Sequence, residues 1–431
     1  MARLHPLRGI RYNSEHIRLG GVLAPPYDVI SPAQREELYG RDLRNVVRVD
    51  FGLPYPDDVA ERSDVYTRAA VHLRSWLELG ILVRDEQPGL YLVVHEFVAP
   101  DGTSQRRLGL VGRVPALPWE RSEVRPHELT LRGPKEDRLA LMRATRAQTS
   151  PAWLLWDRAP GLDARLAKIA QGRALLGGRF DGEMGSEKVL IWQVSDRAAL
   201  AGIGALLEPA TLYIADGHHR FETMAAYAAE RRETGDGADA DSQFALVYAS
   251  AADDAALVVL PIHRLVRPRP GLPVSRDELL ARLGETWELE PVADPVASLA
   301  RLGARRAGEH AYVLVAPDGA AVLRRPRRET GSHRDALDVS VLQSEVISAC
   351  GIGEAELRES ALDYTRDPAG AVAAVRDGRA GLAFLVSPCT SREVMAVADA
   401  RENMPQKSTY FYPKVPTGLI ISPLRIPSRM P

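Results

Sequence analysis

Short runs of valine, isoleucine and leucine alternate along this chain with longer segments whose apolar residues recur every three or four positions. Short apolar or alternating runs bounded by turn residues mark strands, and the longer period marks helices. The pattern predicts strands over Leu90–Val98, Leu108–Val114, Val189–Val194, Thr211–Ala215, Phe244–Tyr248, Ala256–Leu260, His310–Val315 and Gly381–Val386. It predicts helices over Ala33–Tyr39, Val65–Leu79, Glu136–Arg146, Leu162–Gln171, Arg197–Leu207, His218–Arg232, Arg276–Leu283, Val339–Ala349 and Ser391–Asp399. Strands interleaved with helices imply an α/β (α+β) fold.

The 431 residues suffice for two or three domains. Arg267–Pro273 (RPRPGLP) is the best linker candidate. It separates an N-terminal region, 1–266, with an interrupted core from a C-terminal α/β domain, 267–431. The 55 basic and 57 acidic residues nearly cancel, which argues against a nucleic-acid partner. Two cysteines, Cys350 and Cys389, exclude a disulfide scaffold and a cysteine zinc site. No stretch approaches the roughly 18 apolar residues of a membrane helix, and the N-terminus carries no apolar signal core. The expected location is the cytoplasm. Only five of the basic residues are lysines: Lys135, Lys168, Lys188, Lys407 and Lys414. Arginine clusters such as Arg324, Arg325, Arg327 and Arg328 therefore read as solvated surface.

The sharpest segment is Thr211–Arg220, TLYIADGHHR. It reads as a buried strand, a turn at Asp216–Gly217 and a helix with an apolar stripe at Phe221, Met224, Ala225 and Ala228. A helix N-terminus offers unsatisfied N–H groups and a positive dipole end, so it binds phosphate. Gly217 permits close approach of a ligand. His218, His219 and Arg220 are three potential cations at the end where cations cost stability, which makes sense if an anion lies among them. A zinc site is disfavoured, because adjacent histidines diverge on a helix and no third ligand is spaced nearby.

Three further segments carry chemistry. Arg125–Arg138 (RPHELTLRGPKEDR) is a proline-bounded loop with His127, Glu128, Thr130 and Lys135, and a helix beginning near Lys135. Glu128 beside His127 suits a general base, and spacing alone leaves a charged surface loop equally open. Met404–Pro413 (MPQKSTYFYP) sets Lys407, Ser408 and Thr409 between prolines, which suits a phosphate or carboxylate. Ala24–Ile30 (APPYDVI) brings Tyr27 and Asp28 into an extended turn that either lines a cleft or caps the N-terminal lobe.

APPYDVI, GPKEDRL, ADGHHR and MPQKSTYFYPK, in this order, resemble a bacterial ParB-like domain-of-unknown-function family (DUF ten-fifteen) over nearly the whole chain. The chain is similar, more distantly, to the ParB/sulfiredoxin superfamily, whose archaeal ADP-dependent serine kinases share a PHE tripeptide, a strand ending in DGHHR and an EVM…SPKTT stretch. Here these are Pro126–Glu128, Asp216–Arg220, and Glu393–Met395 with Pro405–Thr409. The resemblance implies a nucleotide-binding core, Glu128 as catalytic base, Asp216 as a second acidic residue and the following turn at the phosphates. It implies phosphoryl transfer between ADP or ATP and the hydroxyl of a small acceptor, free serine giving O-phosphoserine. Mg²⁺ would bridge phosphate oxygens near Asp216 or Glu128. The same site could run as phosphoserine dephosphorylation or nucleotide hydrolysis, or serve as a non-catalytic nucleotide switch. The 88-residue interval from Glu128 to Asp216 marks an insertion, and roughly the first 100 residues have no counterpart in the kinases.

Overall fold

The computed structural model describes residues 3–130, 133–273, 275–302, 308–353 and 361–424. It is a mixed α/β structure, as the alternation requires, and its contacts divide into two units. The first holds the chain through Pro126, then Thr130–Val258 and the segment that begins at Pro413. The second holds His127–Leu129 and Val259–Tyr412.

In the first unit eight strands form one sheet. They are β1 (Leu90–Val98), β2 (Ser104–Pro115), β3 (Val124–Arg125), β4 (Ala152–Trp156), β5 (Leu176–Gly182), β6 (Gly185–Val194), β7 (Leu212–Asp216) and β8 (Phe244–Ala251), in the order β3-β7-β4-β8-β2-β1-β6-β5. Antiparallel hairpins β1–β2 and β5–β6 build one side, while β7 runs parallel to β3 and β8 parallel to β4. Every residue of β4 is buried, and β8 is buried beyond its first residue, so the middle of the sheet is covered on both faces. Helix α1 (Gly133–Thr145) packs on helix α2 (His218–Glu233), which follows β7 directly. Phe221, Met224, Ala225 and Ala228 are buried, so α2 seats the stripe its sequence predicts.

The segment from Pro413 returns to the first unit because its backbone is bonded there. Thr417 N donates to Ala24 O and Ile421 N to Ile10 O, each at 2.8 Å, and Ser422–Pro423 pairs with Ala147–Gln148.

The second unit has its own six-stranded sheet: β9 (His263–Val266), β10 (Glu288–Val292), β11 (Glu309–Ala316), β12 (Gly319–Pro326), β13 (Leu362–Thr365) and β14 (Leu382–Leu385), in the order β10-β12-β11-β14-β9-β13. Along β11 the side chains alternate. Tyr312 and Leu314 enter one core with Leu323 and Phe384, and Val313 and Val315 enter the other with Ala371 and Leu385. Arg267–Pro273 runs between β9 and the helix Arg276–Leu283, both in this unit. Proline and glycine mark an internal turn here as readily as a linker.

Several elements differ from the sequence pattern. The Val339–Ala349 helix contains a π-helical turn over Leu342–Ile347. The strand expected over Ala256–Leu260 shortens to Val258–Leu260. Among the described residues no helix is long and apolar enough to cross a membrane.

Candidate functional site

Strand β7 delivers Asp216 to the start of α2, and Gly217 turns the chain into the helix with φ of +86°. That conformation suits glycine, and a Cβ there would lie 2.9 Å from the Arg220 guanidinium. Asp216 and Arg220 stand one helical turn apart and form an ion pair through Oδ2 and Nη2. Lys414 Nζ donates to the other carboxylate oxygen, Oδ1. Both side chains are largely buried, Lys414 at 9% exposure and Asp216 at 13%. Burial would raise the Asp216 carboxyl, but the charges of Lys414 and Arg220 and the Lys414 hydrogen bond hold it well below the usual carboxylate range.

The helix start thus already has an anion, the Asp216 carboxylate itself. Arg220, expected as a phosphate donor, is occupied within the fold: Nη1 donates to Ser150 Oγ at 3.1 Å and to Pro151 O. Thr417 Oγ1 donates to the same Ser150 hydroxyl at 3.1 Å. Lys414 and Thr417, three residues apart, therefore hold the two ends of the group. Asp216 offers no oxygen to a divalent metal without displacing one of its cations, so it does not fit the metal-ligand role expected of it. His218 is buried and meets Trp119 edge-on at 6.2 Å, while the His219 carbonyl accepts from Thr223 Oγ1.

Tyr27 and Asp28 join this neighbourhood. The Arg138 guanidinium lies 4.2 Å from the Tyr27 ring centroid. Burial first, then the charge of Asp28, pushes the Tyr27 phenol up to about 12 against the opposing charges of Arg138 and Arg220. Arg138 Nη1 donates to Asp50 O at 2.6 Å, and Thr149 Oγ1 donates to the Asp50 carboxylate at 2.5 Å. Tyr27, Asp50, Arg138, Ser150 and Arg220 line one small pocket.

Thr130 and Lys135, expected as supporting residues, converge on Glu222 of α2. Glu222 accepts from Trp119 Nε1 and Thr130 Oγ1, each at 2.6 Å, and pairs with Lys135 Nζ. Burial raises the Glu222 carboxyl, but these three hydrogen bonds outweigh it and leave the group low. Trp119 also stacks on Phe221 at 4.6 Å.

In the second unit, two sequence motifs meet. Met404 N donates to His127 O at 2.7 Å, and Thr409 Oγ1 lies 3.5 Å from His127 Nε2. Ser408, expected to bind an anion, donates instead to Pro405 O and closes a local turn. Lys407 is exposed and has φ of +58°, and Glu128 is half-buried. Holding a non-glycine residue in that region costs about 1 kcal/mol or more. Lys407→Gly is expected to keep or gain thermal stability while weakening anion binding. Unchanged nucleotide affinity by calorimetry would remove Lys407 from the site.

Sequence reasoning passed over Lys414 and Glu222. Lys414 carried a usable signal: it is one of five lysines and ends the MPQKSTYFYPK motif. A model of the family described as protein of unknown function (DUF1015) matches residues 4–340. The chain belongs to the DUF1015 family. The DUF1015 match includes Tyr27, Glu128 and Asp216–Arg220 and ends before Lys407 and Lys414. Among solved structures, this DUF1015 protein is similar to a conserved hypothetical protein from Pyrococcus furiosus, at 15% identity and TM-score 0.36 over 72% of this chain and 95% of that one. A free serine kinase in complex with AMP gives 15% identity and TM-score 0.36 over 72% and 92%. A C-terminally truncated SbnI from Staphylococcus aureus gives 10% and 0.33 over 73% and 87%. No curated protein sequence matches the chain.

Proposed function

We propose that this protein is a nucleotide-dependent phosphotransferase of the ParB/sulfiredoxin type, acting in the cytoplasm. It moves a phosphoryl group between ADP or ATP and the hydroxyl of a small acceptor, free serine, giving O-phosphoserine. The observation that carries the reading is the pairing of Lys414 with Asp216 at the start of α2. A phosphate arriving there meets the helix N–H groups and competes with Asp216 for Lys414. Lysine is a compact point charge on a flexible stem, whereas Arg220 is tied by three hydrogen bonds. Lys414 therefore moves to the phosphate while Arg220 keeps Asp216 neutralised. Positioning and charge stabilisation supply most of the acceleration in such transfers. A Mg²⁺ ion accompanying the nucleotide would supply charge neutralisation for the transferred group. Glu128, the base that the motif resemblance names, would take the hydroxyl proton.

Transfer from an anhydride to an alcohol is downhill, which favours the kinase direction over phosphoserine dephosphorylation. Incubation with ADP or ATP and a panel of hydroxyl amino acids, followed by phosphorus NMR, tests the reading. Phosphoserine formation supports it. Nucleotide binding without transfer or hydrolysis overturns it in favour of a non-catalytic switch.

Gly217→Val adds a branched side chain at positive φ against Arg220. It is expected to weaken nucleotide binding at least tenfold, about 1.4 kcal/mol. Wild-type affinity in a folded variant would take the phosphate away from this turn.

A further inference from the structure

A second group of buried charges lies in the first unit, on the hairpin side of the sheet. Glu187 on β6 is 3% exposed, His95 on β1 2%, and Arg107 on β2 is fully buried. His95 Nε2–H donates to Glu187 Oε2 at 2.6 Å, and His95 Nδ1 accepts from Arg107 Nη2 at 3.3 Å. One neutral tautomer satisfies both contacts. Burial holds the imidazole below its ordinary value; the Glu187 hydrogen bond opposes this and the Arg107 charge adds to it. Arg107 is anchored in turn by Pro413 O at 2.9 Å and by the Trp153 ring face at 4.1 Å. Pro413 is the residue before Lys414.

This chain orients one oxygen of Glu187 and leaves the other for something else. Among the described residues no hydrogen bond reaches Glu187 Oε1. The carboxylate lines a narrow pocket with Pro25, Val29, Phe180, Gly182 and Lys414. A Cβ on Gly182 would collide with Oε1, so the glycine makes room for the Glu187 carboxylate itself. A buried carboxylate is costly unless its charge is met. Here a neutral histidine backed by Arg107 meets it from behind, and Lys414, the one cationic side chain among the described residues of the pocket wall, is committed to Asp216. The free side of Glu187 suits a small cationic donor with N–H groups to give.

We propose that Glu187 is the anchor for the ammonium group of the acceptor, so that this pocket selects a free amino acid over a hydroxy acid of the same size. The assignment rests on the phosphotransferase reading above. Glu187 Oε1 takes the α-ammonium in a charge-assisted hydrogen bond, His95 and Arg107 hold the carboxylate in register, and Pro25, Val29 and Phe180 exclude water. Lys414, in the same wall, ties the pocket to the Asp216 group.

The test compares serine with 3-hydroxypropanoate, which keeps the hydroxyl and carboxylate and lacks the amine. Binding is read by calorimetry and transfer by phosphorus NMR on the full chain. Wild-type protein is expected to bind serine at least tenfold more tightly. Glu187→Gln is expected to raise the KM for serine at least tenfold, with the loss on KM rather than kcat, to abolish the preference between the two compounds, and to leave ADP affinity intact. Equal wild-type affinity for both compounds overturns the proposal, and needs no variant to fold. A folded Glu187→Gln protein that keeps the preference also overturns it. Glu187-dependent serine binding with no phosphoryl transfer supports the anchor and refutes the phosphotransferase reading. Transfer to either compound with equal efficiency does the reverse.

Discussion

Lys414→Met is expected to lower nucleotide affinity by at least tenfold and phosphoryl transfer by roughly a hundredfold or more, because removal of a positioned charge costs about that much. Methionine keeps much of the stem and removes the ammonium. The variant then leaves Asp216 with Arg220 as its one cation, inside a site where both partners are largely buried. Removing one partner of a buried ion pair is destabilising, and Arg220 moderates the loss here because it still compensates Asp216. The pH dependence gives a second reading of the same change. In the wild type the folded-state Asp216 carboxyl is held below its unfolded value. Its contribution to stability is therefore fully present above about pH 4 and is lost as the pH falls through the lower folded value. Without Lys414 the folded value rises, so the acid-side loss of stability begins at higher pH. Urea unfolding at pH 7 and at pH 4.5 measures this. A variant whose stability falls equally at both, with nucleotide affinity unchanged, would show that Lys414 only packs.

At three capped helices the sequence was legible to the residue. The helices Arg197–Leu207, Arg276–Leu283 and Ser391–Asp399 begin after Asp196, Ser275 and Thr390, whose side chains accept from the first-turn backbone. Strands were harder. AWLLW in β4 is five apolar residues without alternation, a pattern shared by buried strands and buried helix pieces. LGGRFDG in β5 reads as turn because glycine is poor in strands. Its Gly182 is explained only by Glu187, five residues on along the hairpin. The site divides the same way. Asp216, Gly217 and Arg220 lie within one local segment, and their strand–turn–helix setting follows from that segment alone. Ser150, Thr417, Lys414 and Glu222 join through pairings across tens to hundreds of residues, which no local period encodes. Arg220, expected to await a phosphate, is engaged within the fold, because a helix start crowded with cations can be satisfied by a carboxylate one residue before its own cap.

The largest expected effect belongs to Glu128→Gln. A serine hydroxyl is a weak nucleophile at neutral pH, and a base within about 2.6–3.2 Å of it is worth roughly 10²–10⁴ in rate. The acidic residues of the motif segments are Asp28, Glu128, Glu136, Asp137, Asp216 and Glu222. Asp216 carries a cation on each oxygen and is held low, which makes it a weak base. Glu222 is engaged by Trp119, Thr130 and Lys135. Asp137 accepts from the Tyr66 hydroxyl at 2.9 Å and pairs with Arg138. Glu136 is exposed in the first turn of α1, where the dipole already accounts for an acid. Asp28 acts on Tyr27 and Arg220 through its charge. Glu128 lies in the PHE tripeptide, and it is the residue proposed above as the base. Glutamine preserves its shape and removes the proton acceptor. Glu128→Gln should therefore lower kcat by roughly 10²–10⁴ while ADP affinity stays within twofold and thermal stability is kept. The decisive comparison is single-turnover transfer at saturating nucleotide. A Gln variant with near wild-type rates would return the role of base to Asp216, and with it the requirement that Lys414 leave that carboxylate before the hydroxyl proton arrives.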